Sequence, residues 1–354
     1  MKEYFEQLEQ AMMQTPSFDG QAANLLQLTN ANGMTASFMD IGATWLSCTL
    51  PLDGEHREVL LRSPNMAEHM KQDAYFGAIV GRFANRIANG QFAIDGEHYQ
   101  LGVNNGENSL HGGLDGFDKR RWKIAEQSDR QVVFTLRSPD GDQGYPGNLD
   151  VKVTYTLTDE NELVIAYEAN TDKTSPVNLT NHAYFNLAGE ASNAKSLDHT
   201  LQLSAEHYLP TDVGLIPTGE QKSVSGTSFD FTEPKLIGQA FLSEQDQKNA
   251  GGYDHAFVFK PKVTDCVSVA AVLIAPKEDV VMKVKTTKPA IQFYSGNFLA
   301  GVPGASKTYA LYDGLALETQ YFPDGPNKPE WGLNKGMLSS GDCYQHQTVY
   351  QFEF

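Results

Sequence analysis

Two ionisable residues have the side-chain chemistry of a proton-transfer pair. Glu318 lies in a short strand-like segment, and His182 lies among asparagines, threonines and aromatic residues. A carboxylate can act as a general base, and an imidazole changes its protonation state near neutral pH. Such a pair could take a proton from one oxygen and give a proton to another. From the pattern alone, a solvated strand glutamate and a structural histidine bonded to Asn181, Tyr184 or Asn186 are the more common interpretations.

Other ionisable and amide side chains recur in segments that also contain glycines and aromatic residues. Asn85 and Arg86 are adjacent, and His111 comes directly before two glycines. Asp254 follows two glycines and a tyrosine. Planar sets of donors and charged acceptors suit a ligand that is rich in hydroxyl groups. Each residue also has a structural alternative, because Arg86 could pair with a surface acid, His111 could bind backbone carbonyls, and Asp254 could occupy a turn.

The elements that would position these side chains are short strands. Ten Asn-Gly or Asp-Gly dipeptides supply positive φ angles for tight turns, and residues 151–158 alternate apolar and polar side chains. This pattern predicts an all-β fold, a large antiparallel β-sandwich with a few short helices. The predicted strands include residues 132–136, 151–158, 163–167, 267–274, 280–285 and 349–354. The predicted helices are residues 2–13, 65–73 and 239–249.

Composition excludes several classes of function. The chain has 354 residues and a net charge of -17, which disfavours binding to nucleic acid or to an anionic membrane surface. Its three cysteines, Cys48, Cys266 and Cys343, are far apart in the sequence, which is typical of free thiols in a reducing cytoplasm. The sequence contains no common nucleotide-binding, phosphate-binding or zinc-binding motif. We therefore expect chemistry by side chains alone, without a cofactor or a metal.

Five segments, in their order and spacing, resemble the galactose mutarotase (aldose 1-epimerase) family. They are residues 81–87, 108–113, 178–187, 252–257 and 317–324. The resemblance also includes residues 75–77, 144–148 and 292–298, and it runs from about residue 25 to the C-terminus. It implies a galactose mutarotase-like supersandwich with an open cleft. We therefore expect a single β-sandwich domain over residues 25–354, preceded by an N-terminal extension, expected to be helical, over residues 1–24.

The resemblance also implies a reaction and a set of site residues. The reaction is interconversion of the α and β anomers of a free hexose, galactose and also glucose, without a cofactor. Glu318 would be the general base and His182 the general acid, and a carboxylate-rich cleft would favour the charged form of His182. The implied substrate-binding residues are His111 near the ring oxygen, Arg86, Asn85, Asp254 and Gln292. The expected partner is a monosaccharide, bound by a cytoplasmic monomer or homodimer without nucleic acid or membrane.

Three stretches depart from the usual family pattern. Residues 1–24 look like an extension, residues 61–64 lack a glycine that is usual there, and residues 338–341 lack a common proline. None of these stretches includes a residue of the implied site. They leave open which aldose the protein prefers.

Other functions stay open on the sequence. A glycoside hydrolase could use Asp254 and Glu318 as its pair of carboxyl groups. A non-catalytic carbohydrate-binding protein could share the sandwich without the chemistry. An epimerase of phosphorylated sugars would need a denser basic cluster than Arg82 and Arg86, and we expect Arg82 to support the site rather than to contact a sugar.

Overall fold

Tight turns and short strands arrange the chain around two large β-sheets. The computed structural model describes residues 2–52 and 54–354; Met1, the first residue of the predicted extension, and Asp53 lie outside it. The α-helices are α1 (Lys2–Met13), α2 (Met66–His69) and α3 (Gln245–Ala250). Short 3-10 helices occur at Ala88–Gly90, Phe117–Lys119, Asp142–Gly144, Ser196–Asp198, Pro261–Val263, Gly325–Asn327 and Pro329–Lys335. None of the helices in these residues is long and apolar enough to cross a membrane.

Strands make up most of the regular structure. In chain order they are β1 (Leu25–Thr29), β2 (Thr35–Met39), β3 (Thr44–Leu52), β4 (Glu55–Glu58), β5 (Ile79–Val80), β6 (Arg86–Ile87), β7 (Gln91–Ile94), β8 (Glu97–Gln100), β9 (Ser109–Leu110), β10 (Lys123–Gln127), β11 (Gln131–Ser138), β12 (Leu149–Leu157), β13 (Glu162–Thr171), β14 (Ser175–Pro176), β15 (Thr180–Asn181), β16 (Tyr184–Phe185), β17 (Thr200–Leu203), β18 (Ala205–Tyr208), β19 (Lys222–Ser223), β20 (Lys235–Leu236), β21 (Asp254–Phe259), β22 (Ala271–Ile274), β23 (Val281–Thr286), β24 (Ala290–Tyr294), β25 (Leu315–Gln320), β26 (Met337–Leu338) and β27 (Cys343–Glu353).

Antiparallel pairing builds both large sheets. The nine-stranded sheet has the order β10-β11-β12-β13-β27-β23-β22-β17-β20, and the six-stranded sheet has the order β16-β25-β24-β21-β18-β19. A four-stranded sheet, β1-β2-β3-β4, and four strand pairs complete the pairing: β14-β26, β15-β5, β6-β9 and β7-β8. One hydrophobic cluster contains Val153 and Tyr155 from the nine-stranded sheet and Phe257 and Phe293 from the six-stranded sheet. The two sheets therefore pack face to face, which confirms the predicted all-β sandwich.

The predicted elements are confirmed where the sequence alternates strongly. Strands β11, β12, β13, β23 and β27 cover most of the predicted ranges. The strand predicted over residues 267–274 is wrong in its first half, because β22 begins only at Ala271. The helix predicted over residues 65–73 is limited to α2. The helix predicted over residues 239–249 is wrong in its first half. Ala240 and Leu242 have φ angles of 58° and 55°, so they lie in the left-handed region and cannot continue a right-handed helix. Helix α3 begins only at Gln245 and extends one residue beyond the predicted range, to Ala250.

The N-terminal helix α1 packs onto the sandwich through its apolar face. Leu8 and Met12 are buried against Leu25, Met39 and Met66. The helix predicted over residues 2–13 is thereby confirmed. The division into an extension over residues 1–24 and a single domain over residues 25–354 stays a prediction.

Strand β25 is buried on both of its faces. Alternate side chains of a strand point to opposite sides, and Leu315 and Leu317 belong to the hydrophobic cluster between the two large sheets. Glu318 and Gln320 lie on the other face, yet they are only 2% and 0% exposed. The interpretation of Glu318 as a solvated strand residue is therefore wrong.

Arg82 holds the loop between β5 and β6 in place. Its buried guanidinium donates hydrogen bonds to the carbonyls of Pro146 and Gly147, both at 2.9 Å, and to the Ser138 hydroxyl at 2.6 Å. Arg82 is 2% exposed, so it has no access to a soluble ligand. This arrangement agrees with the expected supporting role, and it explains why residues 144–148 accompany the arginine motif.

Replacing Arg82 should destabilise the protein strongly. We expect Arg82→Met to lower the free energy of unfolding by about 3 kcal/mol, because several buried acceptors lose a charged donor. Urea denaturation followed by tryptophan fluorescence would measure the loss. Arg137→Met is the matched control, since the Arg137 side chain is 65% exposed and forms an ion pair with the exposed Asp150. Equal losses in the two variants would contradict the supporting role of Arg82.

Candidate active site

A cleft of about 510 Å³ opens on the face of the six-stranded sheet that points away from the core. Its volume falls in the usual range for small-molecule sites. Six of the seven predicted site residues line it: Asn85, Arg86, His111, His182, Asp254 and Glu318. Gln292 does not line the cleft.

Glu318 and His182 are in direct contact at the base of the cleft. His182 Nε2 lies 3.4 Å from Glu318 Oε1, and both side chains are almost fully buried. The two remaining polar atoms, Glu318 Oε2 and His182 Nδ1, have no hydrogen-bond partner among residues 2–52 and 54–354. The pair thus combines a mutual contact with two buried polar atoms whose hydrogen-bonding capacity is unused.

Burial works against charge on both members of this pair. Desolvation raises the pKa of Glu318 well above its usual value, Asp254 raises it further, and Arg86 opposes the rise. Desolvation lowers the pKa of His182 to about 4. The expectation that the cleft favours charged His182 is therefore wrong, because burial removes the water that would stabilise the charged imidazole. In the free protein, a neutral carboxyl facing a neutral imidazole is favoured.

His111 is held as a neutral hydrogen-bond donor. Its Nδ1 accepts a hydrogen bond of 3.1 Å from the backbone N–H of Asn85, so the ring hydrogen is on Nε2. Burial first, and then electrostatic interactions with His182 and Arg86, keep the pKa of His111 well below 6.5. The alternative that His111 binds backbone carbonyls is wrong, because its ring accepts from the backbone.

Close backbone contact brings His111 beside Asn85. Gly112 has a φ of 93°, and a Cβ at this position would lie 1.9 Å from the Gly81 carbonyl oxygen. Only glycine allows this approach. Asn85 and His111 themselves have φ angles of 67° and 50°, a conformation that costs energy and is common at functional sites.

The backbone of His182 is fixed by the short sheet β15-β5. His182 donates from its backbone N–H to the Ala78 carbonyl, and the Gly77 N–H donates to the His182 carbonyl, both at 2.9 Å. The side chain packs against the rings of Tyr184 and His111, with ring centroids 5.1 Å away in each case. Aromatic packing therefore orients the imidazole.

The amide groups that flank His182 in the sequence do not hold its ring. Asn181 donates to the Gly77 carbonyl at 2.6 Å, and Asn186 donates to the Asp313 carbonyl at 2.8 Å. Both interactions fix loops around the imidazole instead. The structural interpretation that made Asn181 or Asn186 the partner of His182 is wrong.

Arg86 and Asp254 form a buried charged pair on the cleft wall. Arg86 Nη1 lies 3.6 Å from Asp254 Oδ2, and Arg86 Nε donates to Asn105 Oδ1 at 3.0 Å. Gln292 lies behind them and donates from Nε2 to Asp254 Oδ1 at 2.7 Å. Arg86 is therefore no surface ion-pair residue, and Asp254 is the first residue of β21 rather than a turn residue.

Several wall residues carry no role in the sequence-based prediction. They are Tyr75, Asn105, Tyr184, Tyr294 and Phe298. Tyr75 packs on His111 with ring centroids 4.6 Å apart, and Phe298 is 65% exposed at the cleft edge. An aromatic contact with the ligand could be expected, but sequence alone does not show which ring faces the cleft.

Three ionisable side chains lie close enough together to be considered as metal ligands. One ligand atom each from His111, His182 and Glu318 lie within 4.8 Å of one another. A metal requires a bare imidazole lone pair, however, and the Asn85 N–H forces the hydrogen of neutral His111 onto Nε2. These residues fit proton transfer and hydrogen bonding better than metal binding.

Comparison with known proteins identifies the family. Residues 24–351 match the family model described as aldose 1-epimerase. The chain belongs to the aldose 1-epimerase family. Its relatives indicate an enzyme of the isomerase class that acts as an epimerase, which confirms the family that the sequence resembles.

Named relatives of this aldose 1-epimerase family member cover most of the chain. The aldose 1-epimerase of Escherichia coli K12 is 50% identical over 343 residues, which cover 96% of this chain and 98% of the relative. The galactose mutarotase of Bos taurus is 43% identical, over 84% of this chain and 85% of the relative. A crystal structure of a GalM/aldose epimerase homologue from C. elegans has a TM-score of 0.85 at 31% identity, over 94% of this chain and 99% of that one.

Titration of the His182 imidazole tests the effect of burial. Its ring-nitrogen signals in an NMR titration should keep the values of neutral imidazole from pH 8 to about pH 5 and should change near pH 4, because burial lowers the pKa. His182→Asn would assign the signals. A midpoint at or above about 6.5, the value of a free histidine, would contradict the buried, neutral state.

Proposed function

We propose that this family member interconverts the α and β anomers of a free hexose, with galactose as the preferred candidate and glucose as a second substrate. The observation that carries the proposal is the contact of 3.4 Å between Glu318 and His182 in a cleft lined with hydrogen-bonding groups. Relatives named galactose mutarotase, and a solved galactose 1-epimerase from Lactobacillus acidophilus at 31% identity, support this choice of sugar.

The reaction requires two proton transfers that are coupled. To open the ring, the C1 hydroxyl loses its proton, the C1–O5 bond breaks, and O5 gains a proton. We assign the first transfer to Glu318 as general base and the second to His182 as general acid. Rotation about the C1–C2 bond presents the other face of the aldehyde, and closure reverses both transfers to give the other anomer.

One proton shared by Glu318 and His182 is enough for this cycle. In the free protein burial favours the proton on the carboxyl group. Transfer to the imidazole, over the 3.4 Å contact, produces the carboxylate base and the imidazolium acid. Arg86, whose charge already lowers the pKa of Glu318, stabilises this form. The sugar hydroxyls add polar groups that favour the same charged form.

The other wall residues fit the recognition of a polyol. His111 offers a neutral N–H donor that cannot easily give its hydrogen away, which suits a hydrogen bond near O5. Arg86, Asn85 and Asp254 offer donors and acceptors for the remaining hydroxyl groups. Gln292 bonds to Asp254, and we propose that it contributes to sugar binding through that residue.

The alternative functions have less support. A glycoside hydrolase would need Asp254 as a second catalytic carboxyl, but both of its oxygens already face the donors of Arg86 and Gln292. A non-catalytic sugar-binding protein would have no need for the buried contact between Glu318 and His182, which costs desolvation energy. Release of new reducing ends from a glycoside would favour the hydrolase.

We also propose a cytoplasmic protein that acts as a monomer or homodimer on a monosaccharide. In the described residues Cys48, Cys266 and Cys343 are all free thiols, which suits a reducing compartment. In either oligomeric state, the extension over residues 1–24 would stay with the sandwich of its own chain, because α1 packs on it.

Polarimetry tests the proposed reaction directly. Fresh α-galactose or α-glucose should lose its initial optical rotation faster with the protein than without it. Glu318→Gln and His182→Asn should each lower kcat by at least about 100-fold, because each removes one proton-transfer group. Glu97→Gln and His98→Asn, which change the same residue types at exposed positions, are the matched controls and should leave the rate unchanged.

Two outcomes would refute the assignment. Folded wild-type protein that does not accelerate the decay of rotation would rule out anomerisation of that sugar. Full activity in Glu318→Gln or His182→Asn would rule out the proposed proton-transfer pair even if the reaction occurs.

A further inference from the structure

A row of buried amides runs from the end of β25 to the cleft wall. Gln320 is 0% exposed and lies on the same strand face as Glu318. Gln320 Nε2 donates to Gln292 Oε1 at 3.4 Å, and Gln292 Nε2 donates to Asp254 Oδ1 at 2.7 Å. The row therefore connects a residue outside the cleft with a residue on its wall.

The direction of this row depends on the chemistry of its two ends. An ionised carboxylate only accepts hydrogen bonds, so Asp254 requires the NH₂ group of Gln292. The oxygen of Gln292 must then point away from Asp254 and needs a donor of its own. Gln320 supplies that donor, whereas its own oxygen, Oε1, has no partner among the described residues. Among the residues that the structure describes, Gln292 is therefore the one hydrogen-bond partner of the Gln320 side chain.

Asp254 is held from two sides by this arrangement. Gln292 donates to Oδ1, and Arg86 lies 3.6 Å from Oδ2. The distance to Arg86 is longer than a good charge-assisted hydrogen bond, so the amide makes the tighter contact. Losing the support behind Gln292 would let the carboxylate move within the cleft wall.

We propose that Gln320 is a positioning residue, which fixes the amide of Gln292 and thereby places Asp254 for binding to sugar hydroxyl groups. This positioning role rests on the proposed anomerisation of a hexose. Gln320 does not line the cleft, so its effect must pass through Gln292 and Asp254. It should act on substrate binding rather than on the proton transfers by Glu318 and His182.

Gln320→Met tests the donor while keeping a side chain of similar length. We expect KM for galactose to rise about three- to tenfold, the loss of one buried hydrogen bond, with kcat within about twofold of wild type. Thr319→Val is the control on the neighbouring residue, because Thr319 faces the core and bonds Thr348 at 2.5 Å. Its KM should equal that of the wild type.

Gln320→Glu provides a second readout that general destabilisation would not give. When protonated, the introduced carboxyl can donate to Gln292 Oε1, but when ionised it can only accept. Because position 320 is fully buried, the introduced carboxyl should stay protonated, as burial favours at Glu318, and the KM of Gln320→Glu should therefore stay within about twofold of wild type. Glu318, Asp254 and Arg86 are present in both variants, so a lower KM in Gln320→Glu than in Gln320→Met reports the restored donor to Gln292. If Gln320→Met does not fold, Gln320→Asn takes its place, because its amide is too short to reach Gln292, and a wild-type KM there would overturn the positioning role.

The failures of the two proposals are distinguishable. Wild-type KM in Gln320→Met, or the same raised KM in Gln320→Met and Gln320→Glu, would overturn the positioning role and leave anomerisation intact. Absence of any acceleration by the wild-type protein would refute the proposed function itself. A raised KM in Asp254→Asn would confirm the residue through which Gln320 acts, and an unchanged KM there would overturn the positioning role.

Discussion

The desolvation of Glu318 is the constraint on which the rest of the site depends. Strand β25 lies between the core of the sandwich and the cleft, so its carboxyl group is surrounded by protein and has little contact with water. A bare carboxylate is expensive there, and the rise in its pKa keeps a proton close to His182. The same burial keeps His182 and His111 neutral. Because little water reaches the base of the cleft, isolated charges are unfavourable there, and one proton stays on the Glu318–His182 pair, available for transfer.

The surrounding fold keeps this pair in place at a cost in backbone strain. Tyr75, Asn85 and His111 all have left-handed backbone conformations, with φ angles of 58°, 67° and 50°. Three such residues on one cleft wall are stabilised by the short sheets β15-β5 and β6-β9 and by the close approach at Gly112. Strain of this kind is tolerated where the surrounding packing determines the conformation. Loops place Asn85, His111 and His182, the short strand β6 places Arg86, and the long strands β21 and β25 place Asp254 and Glu318.

Much of the fold could be predicted from the sequence, because strong alternation and frequent turn dipeptides mark strands such as β12 and β27. The helix over residues 239–249 could not be bounded, since nothing in the sequence shows that Ala240 and Leu242 adopt left-handed conformations. The family resemblance named the residues of the candidate site, and their roles stay predictions. The protonation states of the site residues could not be predicted. A strand face in water and a strand face inside a cleft show the same alternation of polar and apolar residues. The role of Gln320 could not be predicted either, because it depends on a hydrogen bond to Gln292 on the neighbouring strand.

The proton of the Glu318–His182 pair can be located by neutron diffraction from deuterated crystals of the free protein at neutral pH. The predicted result is a deuteron on the carboxyl group of Glu318 and a singly protonated imidazole at His182. A bare carboxylate facing an imidazole with deuterons on both nitrogens would contradict the central claim, that burial keeps the free pair neutral.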